Sequence, residues 1–203
     1  MLQYQTIEPA TLELLRDLLA IPEFKKLRLA GGTSLALQIG HRKSIDLDLF
    51  GAIEIEPNEI LDILNSIGSL TTIRNMRNIH VFMINGIKVD IINYSYPWLH
   101  QANKADGLRL ASIEDIAAMK LAAIAGRGTR KDFIDIHFLL RQFSLQEMLD
   151  LYTAKYADGS VFMILKSLIY FDDAENDPEP FMFEVIDWNL VKSELRDEVA
   201  RLT

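Results

Sequence analysis

Three aspartates with strand-like neighbours, a glycine pair and a hydroxyl pair are the residues of this chain best suited to chemistry. Ala30-Gly31-Gly32-Thr33-Ser34-Leu35 is followed, after a short helix-like run, by His41-Arg42-Lys43-Ser44-Ile45-Asp46-Leu47-Asp48-Leu49-Phe50. Side chains alternate along a strand, so Asp46 and Asp48 share one face while Leu47 and Leu49 share the other. Two adjacent carboxylates repel each other unless a cation lies between them. Hard oxygen ligands of this kind suit Mg2+ or Mn2+. A glycine turn that opens a helix points backbone N–H groups at phosphate. Gly31, Gly32, Thr33 and Ser34 are therefore expected to hold the phosphates of a nucleoside triphosphate, and Asp46 and Asp48 its metal. Neither a P-loop nor the spaced dinucleotide fingerprint is present, since no Gly-Lys-Ser/Thr follows the glycines.

Asp90, in Lys88-Val89-Asp90-Ile91-Ile92, is a third acid among strand formers. On a neighbouring strand it would either share the metal or accept a proton from an attacking hydroxyl. Arg42 lies between the two motifs, where it would neutralise charge on a leaving pyrophosphate. Lys120 sits among small and apolar neighbours, either snorkelling outward or pairing with phosphate. Arg127, Arg130 and Lys131 would extend a positive wall or be ordinary surface charge. Asp132 and Asp135 are three residues apart and share a helix face. The helix dipole accounts for Asp132. Asp135, among Phe133, Ile134, Ile136 and Phe138, is expected to orient Lys131 or Lys120 by an ion pair. His80, His100 and His137 lack ligand spacing and read as structural.

The elements that position these residues follow from periodicity and punctuation. Residues 9–20 have helical apolar spacing behind Pro9. A short strand over 27–30, a helix from Thr33 or Ser34 to Ile39, a strand over 44–50 and a helix over 58–67 come next. Strands over 70–73, 79–84 and 87–92 follow, the last two joined by Asn85-Gly86, a strong hairpin signal. Beyond Trp98 the pattern becomes helical: 112–125 behind a capping-box-like Ser112, then 131–143, 145–156, 160–170 and 188–202. The fold class is α/β (α+β), with a small mixed sheet and flanking helices over 1–105 and a helical C-terminal domain over 106–203.

Bulk properties narrow the class. The 203 residues carry a formal charge of -8, which excludes a strongly cationic nucleic-acid-binding protein. Asp172, Asp173, Glu175, Asp177 and Glu179 crowd into one segment, read as a solvated loop, so the remaining surface is closer to balance. There is no cysteine, which excludes disulfides and cysteine–zinc sites and fits a cytoplasmic setting. No signal peptide or membrane span is expected.

Together these residues resemble the DNA polymerase β-like nucleotidyltransferase superfamily, whose signature is a Gly-Gly or Gly-Ser, an Asp-x-Asp on a strand and a later acid on a neighbouring strand. Within it, residues 29–37 and 40–50, with Lys120, Arg127, Arg130, Lys131, Asp132 and Asp135, are most similar to the AbiEii/AbiGii toxin family. The resemblance implies a nucleotidyltransferase core with a helical domain closing the cleft. It also implies metal-dependent transfer of a nucleotide from an NTP to an RNA, tRNA or protein acceptor, and a separate antitoxin protein as partner. By the same resemblance Asp46 and Asp48 bind metal, Lys120 binds triphosphate, and either Asp132 or Asp135 supports catalysis. The competing expectations are a nucleotidyltransferase for small, antibiotic-type acceptors and a non-catalytic nucleotide- or partner-binding module of the same fold.

Overall fold

A computed structural model describes Met1 to Leu202. The chain forms two units, one comprising Met1–Ser95 and Gln101–Ala111, the other Tyr96–His100 and Ser112 to the end of the described residues.

The first unit is built on a seven-stranded mixed sheet. Its strands are β1 (Arg28–Leu29), β2 (Leu47–Gly51), β3 (Leu70–Asn75), β4 (Ile79–Ile84), β5 (Ile87–Asn93), β6 (Asn103–Ala105) and β7 (Leu108–Leu110), in the order β3-β4-β5-β2-β1-β7-β6. β2 runs parallel to β5 and β1 parallel to β7; the other neighbours are antiparallel. Leu47, Leu49, Val89, Ile91, Phe82 and Ile84 point into one core with Leu14, Leu15 and Leu18 of α1 (Pro9–Ala20) and Ile60 and Leu64 of α3 (Pro57–Asn65). Because side chains alternate, that burial turns Asp48, Lys88 and Asp90 to the opposite, partly exposed face.

Local chemistry explains the element ends. Asn85 and Gly86 both take positive φ, 50° and 80°, as the expected two-residue hairpin between β4 and β5 requires. Asp106 and Gly107 repeat the device at 52° and 80° between β6 and β7. The domain break expected at 105/106 thus falls inside a hairpin, and the chain passes between units at 95/96, 100/101 and 111/112. Arg109 ties this hairpin down by donating to the carbonyls of Leu19, Phe24 and Leu27 at 2.9–3.0 Å.

The second unit is helical: α4 (Ile113–Gly126), α5 (Arg130–Leu139), α6 (Leu145–Lys155), α7 (Val161–Leu168) and α8 (Trp188–Ala200). Ser112 caps α4 by accepting from the Asp115 N–H at 3.0 Å, and Ser144 with Glu147 forms a capping box on α6. Asp115 and Lys155, both fully buried, pair at 2.7 Å. The backbone N–H groups of Leu99 and His100 donate to the same carboxylate, and Lys155 donates to the Pro97 carbonyl. That network fastens the 96–100 segment to the helical unit.

The acidic segment is solvent-exposed at Asp172, Asp173, Glu175 and Glu179, as composition predicts, but two of its acids also hold neighbouring elements. Asp177 accepts from the Arg130 N–H at 2.9 Å and so caps α5. Glu175 binds Trp188 and Lys192 through its carboxylate and Arg130 through its carbonyl. Acids at this position neutralise the positive end of α5 and two partly buried cationic side chains, Arg130 and Lys192. Among the described residues no helix is long and apolar enough to cross a membrane.

Candidate active site

Strand β1 runs into Ala30, and α2 (Gly31–Ile39) starts at once with Gly31 at φ 63°. A side chain at Gly31 is excluded twice over. The left-handed φ is strained for any L residue, and a Cβ there would lie 2.2 Å from Asp48 Oδ2. The Asp48 carboxylate therefore sits directly against the N-terminal turn of α2. At Gly32 a Cβ would lie 2.2 Å from Arg42 Nη2, so the second glycine admits a guanidinium. Arg42 is buried at 3% exposure, and one of its nitrogens donates to the Lys43 carbonyl at 3.0 Å. The glycine pair thus provides room for one anion and one cation at a helix N-terminus.

Thr33 and Ser34 behave differently from the expectation. Both are buried within the first turns of α2, and neither caps it; Ala30 holds the cap position. The Thr33 hydroxyl bonds the Asp46 backbone carbonyl and, at 2.8 Å, the Ser44 hydroxyl. Ser34 is bound by Gln38, which also reaches the Ala111 carbonyl. These hydroxyls point into protein, so Thr33 fixes the backbone of a metal-ligand candidate instead of facing phosphate.

Asp46 lies just before β2, not within it, since the strand begins at Leu47; Ile45, expected to alternate inward, is exposed. Asp48 and Asp90 are register partners across the parallel β2–β5 pair. Lys88, two residues before Asp90 on β5, places its ammonium 2.7 and 2.8 Å from the two Asp90 oxygens. The acid expected to complete a three-carboxylate metal site therefore already carries a cation. Among the described residues no group of three or more His, Asp or Glu is gathered to hold a metal. The pair Asp46 and Asp48 still fits Mg2+, which typically takes one or two carboxylates and fills its remaining positions with water and phosphate oxygens.

In the second unit Lys120 is the centre of a buried ion group. Its ammonium lies 2.8 Å from Asp132 Oδ1 and 2.5 Å from Asp135 Oδ2, and both acids are fully buried. Burial pushes the Asp132 carboxyl pKa up. The Lys120 and Arg127 charges and hydrogen bonds from Lys120 and Thr129 outweigh that and hold it below the usual carboxylate range. The ion pair expected of Asp135 is thus made to Lys120, and Asp132 shares it. Lys131 is exposed on the first turn of α5. Arg130 is turned into the C-terminal segment, bound by Glu175, paired with Glu179 at 3.5 Å and stacked 5.1 Å from the Trp188 ring centre. Those contacts give Arg130 a structural role, holding the 175–188 segment to α5.

Of the histidines, His80 is buried beside Phe82 with Nδ1 2.6 Å from Asn75 Oδ1, and desolvation lowers its pKa. His137 pairs with Glu194. Both are structural. Lys88, Ser44 and the Lys155–Asp115 pair carry weight that motif reading missed. For Lys88 a signal existed: a lysine two places from a strand acid faces the same side.

A glycine turn against an Asp-x-Asp strand, on a mixed sheet followed by helices, is a nucleotidyltransferase fold, and solved structures agree. The chain superimposes on JHP933 from Helicobacter pylori with TM-score 0.58 at 19% identity, covering 97% of this chain and 93% of that one. For MenT4, the nucleotidyltransferase toxin Rv2826c from Mycobacterium tuberculosis H37Rv, the TM-score is 0.62 at 16% identity, covering 95% and 82%. The family described as nucleotidyl transferase AbiEii toxin, type IV toxin–antitoxin system, matches residues 13–100 and 86–201, and the chain belongs to that family. A relative in Aquifex aeolicus (strain VF5), the uncharacterized protein aq_aa25, is 39% identical over 168 residues, 77% of this chain and 81% of that protein.

Proposed function

We propose that this protein is a divalent-metal-dependent nucleotidyltransferase that moves a nucleotide from an NTP to an RNA or protein acceptor and releases pyrophosphate. Its setting in this reading is the toxin half of a toxin–antitoxin pair in the cytoplasm, opposed by a separate antitoxin protein. The observation that carries the proposal is the Asp48 carboxylate packed against Gly31 at the head of α2. It sets a carboxylate able to hold a metal beside backbone N–H groups suited to phosphate.

Asp46 and Asp48 would hold the ion, with Thr33 and Ser44 fixing the Asp46 backbone. When bound, Mg2+ or Mn2+ would draw electron density from the phosphoryl oxygens and stabilise the charge that develops there. Arg42, confined beside Gly32, adds a fixed positive charge at the same helix end, where the triphosphate's leaving group gains charge. The acceptor hydroxyl attacks the α-phosphorus and gives its proton to water, the bond from the α-phosphorus to the bridging β-phosphate oxygen breaks, and pyrophosphate carries away the electron pair. In the second unit Asp132 and Asp135 both position the Lys120 ammonium, so neither acts alone.

The test is incubation of the purified chain with each α-labelled NTP, Mg2+, total RNA and cell protein. Label is expected in one acceptor class and absent with Asp48→Ala of unchanged melting temperature. Undiminished labelling by that variant would defeat the proposal.

A further inference from the structure

We infer that the Lys88 ammonium stands where a second metal ion would otherwise bind Asp90, so that the donor site works with a single divalent cation on Asp46 and Asp48. This rests on the nucleotidyltransferase reading above.

Three observations converge on it. Lys88 and Asp90 alternate on β5 and so face the same side of the sheet. Asp90 is the register partner of Asp48 on the parallel neighbour β2, so it flanks the proposed ion site directly. The ammonium reaches both Asp90 oxygens, at 2.7 and 2.8 Å, leaving neither oxygen without a positive partner. The pair is partly exposed, with side-chain exposures of 39% for Lys88 and 22% for Asp90, so solvent and substrate can reach it.

The chemistry differs from that of a two-ion site. Two divalent ions clamp the attacking and leaving oxygens symmetrically. Here the third acid is neutralised by one fixed, singly charged group belonging to the protein. An ammonium offers hydrogen-bond donors instead of coordination positions. On the Asp90 side the attacking hydroxyl would meet a donor and a weak charge, not an ion that lowers its pKa. Both Asp90 oxygens are taken up by the ammonium, so Asp90 orients Lys88 in this reading and does not abstract the proton. Deleting the ammonium should release Asp90 to complete a second ion site.

The experiment counts Mn2+ bound per full-length chain by equilibrium dialysis with electron paramagnetic resonance detection. The nucleotide is an equimolar mixture of the four α,β-methylene ribonucleoside triphosphates, which cannot be cleaved at the reacting bond. The wild type is expected to hold one Mn2+, and Lys88→Met and Lys88→Gln two, with circular dichroism confirming that both variants are folded. Asp90→Asn is expected to stay at one. Two ions in the wild type, or one in both Lys88 variants, would overturn the inference while leaving the nucleotidyltransferase reading intact. No Mn2+ retained by the wild type would overturn both.

Discussion

Alanine at Gly31 should silence the protein far more than it destabilises it. The backbone there has φ 63°, a conformation that costs an L residue about 1–2 kcal/mol. That strain alone would lower the melting temperature of a 203-residue chain by about 2–8 °C. The new Cβ would also fall 2.2 Å from Asp48 Oδ2, well inside any tolerable separation, so the carboxylate must swing away from the head of α2. If Asp48 holds the metal as proposed, such a displacement costs about 100-fold or more in rate. Gly40→Ala is the internal control. Its φ of 77° carries the same backbone strain, but its Cβ would meet only the Gln3 side chain, at 3.0 Å, and that side chain can move. Thermal melts and α-label transfer on both variants separate the two effects. The expectation is similar melting temperatures, with transfer lost only in Gly31→Ala. Full transfer by Gly31→Ala, or equal loss in both variants, would refute the argument that the glycine exists to seat Asp48.

Lys120→Met leaves Asp132 and Asp135 buried without their shared cation and should cost about 3–5 kcal/mol in urea unfolding; a loss under 1 kcal/mol would show that the triad adds little. The folded pKa values of Asp132 and Asp115 are both lowered, so their stabilisation is complete above the ordinary carboxylate value of 3.8 and is lost as pH falls below it. Unfolding free energy should therefore drop as pH falls below about 4, with a shallower slope in Asp132→Asn, and an unchanged slope in that variant would contradict the assignment. Asp177→Ala removes the cap of α5 and should destabilise by about 1 kcal/mol without changing the proposed nucleotide binding; titration calorimetry beside a denaturation curve checks both halves.

Much of this was legible in the sequence because the signals are local. Asn85-Gly86 demands a tight hairpin, Pro9 opens a helix, and the alternation of Asp48 with Leu47 and Leu49 fixes which face of β2 is buried. Asp106-Gly107 carries the same turn chemistry, but between two three-residue strands the flanking pattern is too short to stand out from a linker. The partners of buried charges were harder to read, because they depend on packing between distant segments. Nothing near Lys155 announces Asp115, forty residues away, and nothing in an acidic run distinguishes solvated carboxylates from Asp177 capping α5. The Thr33 hydroxyl shows the same limit. Residue type suggested a phosphate ligand, whereas the helix phase buries the side chain and sends it to the Asp46 carbonyl.

The central claim is that Asp48 and the head of α2 transfer the nucleotidyl group of an NTP. Parallel reactions with α-labelled and γ-labelled NTP, Mg2+ and total cellular RNA and protein test it most directly. The account predicts that the α-label enters a macromolecular acceptor, that the γ-label leaves as pyrophosphate, and that Asp48→Ala stops both. Transfer of the γ-label to the acceptor, or α-labelling that persists in Asp48→Ala, would contradict it.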